Sequence, residues 1–179
     1  MERAEITRTV AEHIVFNVNS SPDDVAAGIG VAPSVLREHF PDDRSLRRAV
    51  CTFGISEVQQ RIRAARLEEG PADAALQRLV EATWDRASLR AFMYGENQLH
   101  GDPELDTGFA AIEAATVDLF ERGRQEGVFR SDVPAAWMSE SFWALLAVTA
   151  WCVTDSFIEA QDGPPSIAAL LLDGITARN

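Results

Sequence analysis

The sequence predicts an all-helical protein, and three observations support this fold class. Apolar residues recur at intervals of three and four along most of the chain, as on the buried face of an amphipathic helix. We find no alternating strand pattern bounded by turn residues. Prolines, glycines and acidic residues mark helix starts and ends. The 179 residues suffice to bury a real core, in one domain or two small ones.

The first two helices are predicted from an apolar stripe and a capping signal. Ile6 is followed four and eight residues later by apolar side chains, which share one face of a first helix. Ser21, Pro22 and two aspartates then predict the start of a second helix, with serine as N-cap and proline at the first helical position. Gly28 and Gly30 predict its end, because glycine adopts the left-handed conformation of a tight turn.

Two more helices follow with equally clear starts. Pro33 begins a third helix, whose Leu36 and Phe40 are expected to face inward while its polar residues face outward. The segment Pro41–Asp43 ends this helix and begins a long fourth helix, which we expect to reach Gly70.

The remaining sequence predicts five further helices. The first two are expected over 71–87 and 88–100. A longer helix runs from about Glu104 to Gly127. The last two are expected over 135–160 and over 166–178, the latter starting after a Gly-Pro-Pro stop.

The charge of the chain is unevenly distributed. The net charge is −12, and all 16 basic residues are arginines. Residues 1–50 hold eight acids and six arginines, a balance of −2, so most of the excess acid lies in the remainder. This asymmetry separates a nearly neutral module from an acidic, self-repelling body.

Several classes of protein are not supported by the sequence. The longest uncharged apolar run, Ser141–Val153, has 13 residues and is shorter than the ~20 of a membrane span. No targeting signal opens the chain, so we expect a cytoplasmic protein without membrane association. Cys51 and Cys152 lie far apart and predict neither a disulfide nor a zinc site.

Catalytic and metal-binding patterns are also weak. The three histidines fall on separate elements, and no nucleophile elbow or glycine-rich phosphate loop is present. Glu96 and His100 have the i, i+4 spacing of two metal ligands, but no third ligand is in view. We therefore expect no enzymatic activity, no metal and no cofactor.

The three short amino-terminal helices have the spacing of a helix-turn-helix motif, although an ordinary corner of a helical bundle fits that spacing equally well. Residue identities favour the motif. The stretch DDVAAGIGVAPSVLREHFPDDRSLRRAV resembles the DNA-binding domain of the tetracycline-repressor-like (TetR) family of transcriptional regulators, through Val25-Ala26, Ile29-Gly30-Val31, Ala32, Leu36–Phe40, Pro41 and Leu46. The resemblance continues more weakly over nearly the whole chain.

This resemblance implies a domain organisation and a set of DNA contacts. Residues 1–50 would form the helix-turn-helix DNA-binding domain, and residues 51–179 a helical domain for effector binding and dimerisation. The expected DNA-binding residues are Ser21, Pro33, Ser34, Arg37, His39 and Arg44.

Departures from the family pattern lie where the family meets DNA. Asp43 stands where the family usually has a lysine, and a carboxylate there is expected to face and repel a phosphate. Ala32 replaces the usual Ser or Thr cap, which costs ~1 kcal/mol. If Arg37, Arg44 and one of Arg47 or Arg48 contact DNA in each subunit, a dimer would engage about six phosphates.

Two further sites are expected in the second domain. Aromatic residues of the middle helices are mostly core, but with a few polar neighbours they are expected to line an effector cavity, made up of Trp84, Phe92, Met93, Asn97, His100, Phe109, Phe120, Trp143 and Trp151. The helix over 135–160 is apolar on two sides, so one side and the last helix are expected to form the dimer interface, through Met138, Phe142, Leu145, Thr149, Val153, Ile167, Leu170, Leu171 and Ile175.

These observations lead to one functional hypothesis and one rival. The hypothesis is a ligand-responsive transcriptional regulator, expected to be a repressor, which binds operator DNA as a homodimer in a salt-dependent manner and responds to a small apolar effector. The rival is a protein of the same fold that has lost DNA binding and acts as an effector-binding or protein-partner module.

Overall fold

The computed structural model describes residues 2–96 and 99–176. In this part of the chain the all-helical fold class is confirmed, and an isolated antiparallel bridge pairs Phe129 with Thr176. A short 3-10 helix, Ala160–Asp162, precedes the last helix. The α-helices of the described residues are α1 (Arg3–Ile14), α2 (Pro22–Gly28), α3 (Pro33–His39), α4 (Asp43–Ala65), α5 (Ala72–Trp84), α6 (Ala87–Gly95), α7 (Pro103–Gln125), α8 (Ala135–Thr154) and α9 (Gly163–Ile175).

A small head at one end of the chain consists of α1, α2 and α3 with the start of α4. Apolar faces of these helices meet in a core that includes Ile6, Val25, Leu36, Phe40 and Leu46, each at most 2% exposed. Helix α4 continues from the head into the body, where it packs on α5 and α7. The division proposed at residue 50 therefore falls inside one continuous helix.

The predicted helix starts in the head are confirmed by their capping bonds. The Ser21 hydroxyl accepts a hydrogen bond from the Asp24 amide, and the Asp24 carboxylate accepts one from the Ser21 amide. Asp42 caps α4 in the same reciprocal way with Ser45. Ala32, by contrast, supplies no side-chain cap to α3. The head is therefore well fixed at α2 and α4 and less so at the start of α3.

Several helix boundaries differ from the sequence-based expectation, including the end of α6 at Gly95 rather than residue 100. Helix α4 ends at Ala65, before Gly70, because Arg66 adopts a left-handed conformation with φ of 47°. The Arg78 guanidinium satisfies the carbonyls left free there, with bonds of 2.6–2.9 Å. Helix α8 ends at Thr154 rather than near residue 160.

A further difference concerns the start of α9, which begins at Gly163 rather than Ser166. The two prolines that follow Gly163 lie in its first turn instead of preceding it. Proline is tolerated there because the first amides of a helix have no intrahelical acceptor.

Helices α8 and α9 are the most apolar helices of the body, and α8 is the longer of the two. By length and composition alone, its 20 residues are long and apolar enough to cross a membrane. The helix is longer than the uncharged 13-residue run noted in the sequence. Its inner face instead packs on α6, α7 and α9, and includes Phe142, Trp143 and Leu146 at no more than 1% exposure. The Trp143 Nε1–H donates a 3.2 Å hydrogen bond to the Thr116 hydroxyl, which is also 2.5 Å from the Ser139 hydroxyl.

Candidate functional site

The outward face of α3 is the candidate DNA-reading surface. Leu36 and Phe40 anchor this helix in the core of the head, while Ser34 and Arg37 point to solvent. The preceding turn is made by Gly30, whose φ of 72° favours glycine. A short helix exposed on one side and anchored on the other is the arrangement of a recognition helix.

Ser21 and Arg37 come together beside this surface. They line a shallow depression of about 160 Å³ between α2, α3 and the start of α4, together with Asp23 and Asp42. An Arg37 Nη donates to the Asp23 carboxylate at 2.5 Å, and both side chains are more than half exposed. The sequence-predicted contacts are thus adjacent in space, but carboxylates share their surface.

The other expected DNA contacts differ in exposure. Pro33 is exposed at the first position of α3, and Arg44 is exposed in the first turn of α4. His39 is only half-buried, and its ring packs 6.3 Å from the Phe40 ring, centroid to centroid. His39 therefore contributes to packing as well as to the outer face.

Asp43 was expected to face a phosphate, and in the structure its carboxylate pairs with a residue of its own helix. Its Oδ2 accepts a 2.8 Å hydrogen bond from Arg47 Nε, and its Oδ1 is buried without a hydrogen-bond donor among the described residues. The i, i+4 spacing on α4 brings the two side chains together. The carboxylate is therefore directed along its own helix toward an arginine.

Arg47 connects the head with the body. Besides bonding Asp43, it donates to Glu96 at 3.0 Å and to the Val18 carbonyl at 3.0 Å. Burial has the largest single effect on the pKa of Arg47 and lowers it. The hydrogen bonds and negative charges of Asp43 and Glu96 together outweigh burial, so the pKa is raised above its usual value. Val18 lies in the connection between α1 and α2, and Glu96 follows α6 in the body. Arg47 therefore links that connection to the body.

Arg48 makes a second link of the same kind. Its guanidinium donates to Asp102 at 2.7 Å and to Glu104 at 2.6 Å, at the start of α7. The Arg48 bond is the main reason that the pKa of Asp102 lies below its usual value. Two neighbouring arginines of α4 therefore hold the segment that joins α6 to α7.

A cavity of about 430 Å³ opens beside that segment. Its volume lies within the range of small-molecule sites, roughly 300–1,000 Å³. The walls are mainly apolar, and acidic side chains lie along them. The lining residues come from α4, α6, α7, α8 and the segment after α6, and they are Cys51, Arg90, Met93, Tyr94, Glu96, Leu99, His100, Leu105, Asp106, Phe109, Ala110, Ile112, Glu113, Glu140 and Trp143.

Arg90 is the unusual member of this lining. It is 8% exposed, and its Nε is buried with no acceptor among the described residues. Its Cζ lies 5.3 Å from the ring centroids of both Tyr94 and Trp143. Burial lowers the pKa of Arg90, and the nearby Glu140 only partly opposes this.

Comparisons with known proteins agree with this geometry. The chain is 32% identical over 142 residues to the HTH-type transcriptional repressor LfrR of Mycolicibacterium smegmatis, covering 79% of this chain and 70% of that protein. It is 28% identical over 144 residues to the HTH-type transcriptional regulator NfxB of Pseudomonas aeruginosa, covering 79% and 76%. No family model matches the sequence.

Solved structures agree as well. The TetR-like regulator LfrR from Mycobacterium smegmatis, in complex with proflavine, superposes with a TM-score of 0.79 at 26% identity, over 98% of this chain and 97% of that one. The ketosteroid regulator KstR2 of Mycobacterium tuberculosis shares the fold, with a TM-score of 0.71 at 19% identity over 98% and 95% of the two chains.

The chain belongs to the TetR-like family of helix-turn-helix transcriptional regulators. The family resemblance noted in its amino-terminal sequence is therefore confirmed, as is the expectation of a regulator rather than an enzyme. In the described part of this TetR-like chain, no group of three histidine, cysteine or acidic side chains is placed to hold a metal.

The cavity of this TetR-like regulator contains only part of the predicted set. Met93, His100, Phe109 and Trp143 line it. Asn97 lies outside the described residues. The other four predicted aromatic residues lie elsewhere, three in packing contacts and one on the surface.

Three of these four aromatic side chains have a structural neighbour that explains their position, and the fourth is exposed. Trp84 packs against Gly163, where an added Cβ would lie 2.3 Å from the indole. Phe92 lies 5.9 Å from Arg47, and Phe120 packs on Phe129 with a centroid separation of 5.7 Å. Trp151 is 46% exposed on the outer face of α8.

Five polar or reactive members of the cavity wall were not predicted from the sequence: Cys51, Arg90, Asp106, Glu113 and Glu140. A helical repeat does not reveal which polar or charged residue faces a cavity. Arg90 lies within the stretch LRAFMY, which contains no other charged residue. This is the one signal in the sequence from which a buried arginine could have been predicted. Burial, followed by the charge of Glu96, raises the pKa of the Cys51 thiol to about 12.

Most residues of the predicted dimer face of the TetR-like chain are buried within the chain itself. Six of them belong to the core of the chain itself, where they pack between α8, α9 and their neighbours and are at most 8% exposed: Met138, Phe142, Thr149, Ile167, Leu171 and Ile175. Leu145 and Val153 are half-buried, and Leu170 is 65% exposed.

The opposite side of α8 carries the exposed apolar residues. Trp137, Val148 and Trp151 are 66%, 46% and 46% exposed, and they recur at i, i+11 and i+14 along one face. Both sides of α8 are apolar, so the sequence pattern alone does not distinguish this exposed side from the side predicted to face outward.

Proposed function

We propose that this TetR-like regulator is a homodimeric repressor that binds operator DNA through residues 1–50 and an effector through residues 51–179. The observation that carries the proposal is the solvent-facing α3, which presents Ser34 and Arg37 in a chain of this family. Both operator binding and effector binding are expected in the cytoplasm.

The electrostatic contacts with DNA are assigned to Arg37 and Arg44. The sequence-based count also included Arg47 or Arg48, but those side chains hold Glu96 and Asp102 in the body. Two arginines in each protomer give about four phosphate contacts in a dimer, and a salt slope near −3.6 instead of the roughly −5.4 implied by six.

The dimer is proposed to form through the exposed side of α8 and through Leu170 of α9. Trp137, Val148, Trp151 and Leu170 make an apolar surface that a second copy would cover. A twofold axis through this surface would place two recognition helices on successive major grooves, about 34 Å apart or slightly more.

The effector is proposed to act through the two arginine links of α4. Glu96 lines the cavity and also holds Arg47, while Asp102 holds Arg48 next to cavity residues of α7. An effector that shifts this segment would therefore move the start of α4 and α3 with it. Only an effector with different affinities for the two arrangements would change DNA binding.

A gel-shift titration with DNA from the flanks of its own gene tests the proposal. The wild type is expected to bind in low salt, more weakly in high salt, and Arg37→Ala is expected to lose most of this binding. Arg130→Ala, which removes a half-buried arginine paired with Asp132 in the body, is the matched control and is expected to bind as the wild type.

One observation favours the rival function without DNA. Asp23 and Asp42 share the depression that holds Ser21 and Arg37. Their negative charges lower the electrostatic potential of the candidate DNA-reading surface, which opposes DNA binding. Absence of binding to any flanking fragment, even in low salt, would support this effector-binding or protein-partner module and contradict the repressor.

A further inference from the structure

The cavity wall contains a buried arginine without a counter-ion in hydrogen-bonding contact. Arg90 and Arg47 are almost equally buried, at 8% and 9% exposure. Arg47 donates hydrogen bonds to three oxygen atoms, whereas Arg90 Nε has no acceptor in the described part of the chain. Buried charges in proteins are normally paired, so the surroundings of Arg90 lack an anion or another acceptor.

The aromatic neighbours of Arg90 do not supply that acceptor. Tyr94 and Trp143 approach its Cζ at 5.3 Å, which stabilises the positive charge through their ring faces. The N–H groups of a guanidinium, however, point outward in its own plane and require oxygen or nitrogen acceptors. A carboxylate satisfies two of them at once in the fork geometry that arginine favours.

The rest of the cavity indicates what the remainder of the ligand is like. Met93, Leu105 and Phe109 offer an apolar wall that would pack against a flat hydrophobic body. Four carboxylates also lie in the lining and would repel any second negative charge: Asp106, Glu113 and Glu140 are exposed, and Glu96 is paired with Arg47. The exposed carboxylates are screened by salt, whereas an anion paired with buried Arg90 is not, so one inward anionic group is favoured.

We propose that the effector of this cavity is an aromatic monocarboxylic acid, whose carboxylate pairs with Arg90 and whose ring system lies against Met93, Leu105 and Phe109. This inference depends on the proposed effector-responsive function and specifies the ligand class of the same cavity. It differs from the cationic dye in the LfrR complex, which serves as the competing ligand in the test.

Calorimetric titration of the full chain with three probes tests this assignment. The probes are 2-naphthoate, its uncharged methyl ester and proflavine. The wild type is expected to bind naphthoate at least tenfold more tightly than either of the other two. Equal affinities for acid and ester, tighter binding of proflavine, or no detectable naphthoate binding at millimolar concentration would each overturn the assignment.

Variants of the cavity identify the group responsible. Arg90→Met is expected to weaken naphthoate at least tenfold and to leave the ester unchanged, while Arg130→Met, outside the cavity lining, changes neither. The Tm of Arg90→Met is expected to equal or exceed that of the wild type, because a buried unpaired charge is removed. A lower Tm with loss of both ligands would make Arg90 a structural residue and overturn the assignment.

A second variant keeps the test valid if Arg90→Met does not fold. Glu140 is the carboxylate whose charge acts most on Arg90. Glu140→Gln is expected to tighten naphthoate binding severalfold, because it removes a negative charge near the bound anion, and weaker binding would count against the proposal.

Gel shifts on the same preparations separate this inference from the proposed function. A wild type that binds naphthoate through Arg90 but binds no flanking DNA would contradict the repressor and support the ligand class. A wild type that binds flanking DNA but binds naphthoate and its ester equally would support the repressor and contradict the ligand class.

Discussion

Arginines near the reading head differ in how firmly their partners hold them. The pair between Arg37 and Asp23 is exposed, and such pairs contribute about 0–1 kcal/mol, so Arg37 can exchange its partner for a phosphate at little cost. The side chains of Arg47 and Glu96 are only 10% and 6% exposed, and breaking a buried pair costs about 3–5 kcal/mol. DNA therefore competes for Arg37 and not for Arg47.

A buried hydroxyl gives a second prediction at this scale. Thr116 accepts from the Trp143 Nε1–H, and its hydroxyl also contacts that of Ser139. Thr116→Val would leave buried polar groups of both neighbours without a partner, at a cost of about 1–3 kcal/mol. We expect a lower free energy of unfolding in urea.

Thr107→Val is the matched control for this change. Thr107 is on the same helix, α7, and its exposed hydroxyl bonds only the Pro103 carbonyl one turn earlier. A loss of less than 0.5 kcal/mol is expected there, as for an ordinary surface position. Equal losses at the two sites would show that the Thr116 contacts contribute nothing to stability.

Individual residues show which part of the cavity lining could be predicted from the sequence and which part could not. Met93 and Phe109 were predicted because they are large, apolar and close to polar neighbours. Trp84 and Phe120 satisfy the same criteria, but they fill gaps beside Gly163 and Phe129. Helical spacing gives the face on which a side chain lies, not which neighbouring helix leaves space opposite it.

At the scale of elements, two glycines in helices have opposite surroundings. A Cβ on Gly123 of α7 would lie 2.1 Å from the Phe129 ring, whereas a Cβ on Gly174 of α9 would meet nothing within 4 Å. Gly123→Ala is therefore expected to lower stability by about 1–3 kcal/mol through overpacking. Gly174→Ala is expected to raise it by up to about 1 kcal/mol, through helix propensity.

Thermal unfolding of the two alanine variants checks this prediction. The Tm should fall for Gly123→Ala and stay equal or rise for Gly174→Ala. A Tm for Gly123→Ala at or above that of the wild type would mean that Phe129 moves aside freely and that α7 and the following turn are loosely packed.

Helix starts were predicted better than helix ends. Ser21 and Asp42 are local signals, because an N-cap side chain bonds amides two or three residues ahead. The end of α4 depends instead on Arg78, which reaches it from α5 and takes up its free carbonyls. Such an end is set by tertiary contact, which the local sequence does not contain.

For the whole molecule, the orientation of α8 determines how two copies meet. Trp151→Glu and Leu170→Glu each place a charge on the exposed apolar surface of α8 and α9. We expect either change to convert a dimer into a monomer, because an unpaired charge would be buried in the interface. Light scattering after size-exclusion chromatography measures the mass directly.

Phe16→Glu is the control for the dimer test. Phe16 is 61% exposed, but it lies in the connection after α1, beside residues of α1, α4 and α6. Its variant is expected to keep the mass of the wild type. Dimers that persist in both Trp151→Glu and Leu170→Glu would rule out this surface as the interface.

The α-helical architecture as a whole could be predicted, but not which side of α8 faces out. Periodicity distinguishes an apolar face from a polar one, and α8 has apolar residues on both sides. Its inner side is defined by contacts with α6, α7 and α9, which come from distant parts of the sequence. The same long-range packing places Glu96 beside Arg47.

The central claim is that the reading head attracts DNA although Asp23 lies beside Arg37. The most direct test is the salt dependence of affinity for a flanking operator fragment, measured by fluorescence anisotropy. The wild type should give a slope near −3.6, and Arg37→Ala a slope near −1.8, since one contact per protomer is lost. Asp23→Asn should tighten binding, while Asp73→Asn, an exposed first-turn aspartate of α5, should not. Unchanged affinity and slope in Arg37→Ala, with no gain in Asp23→Asn, would contradict the claim.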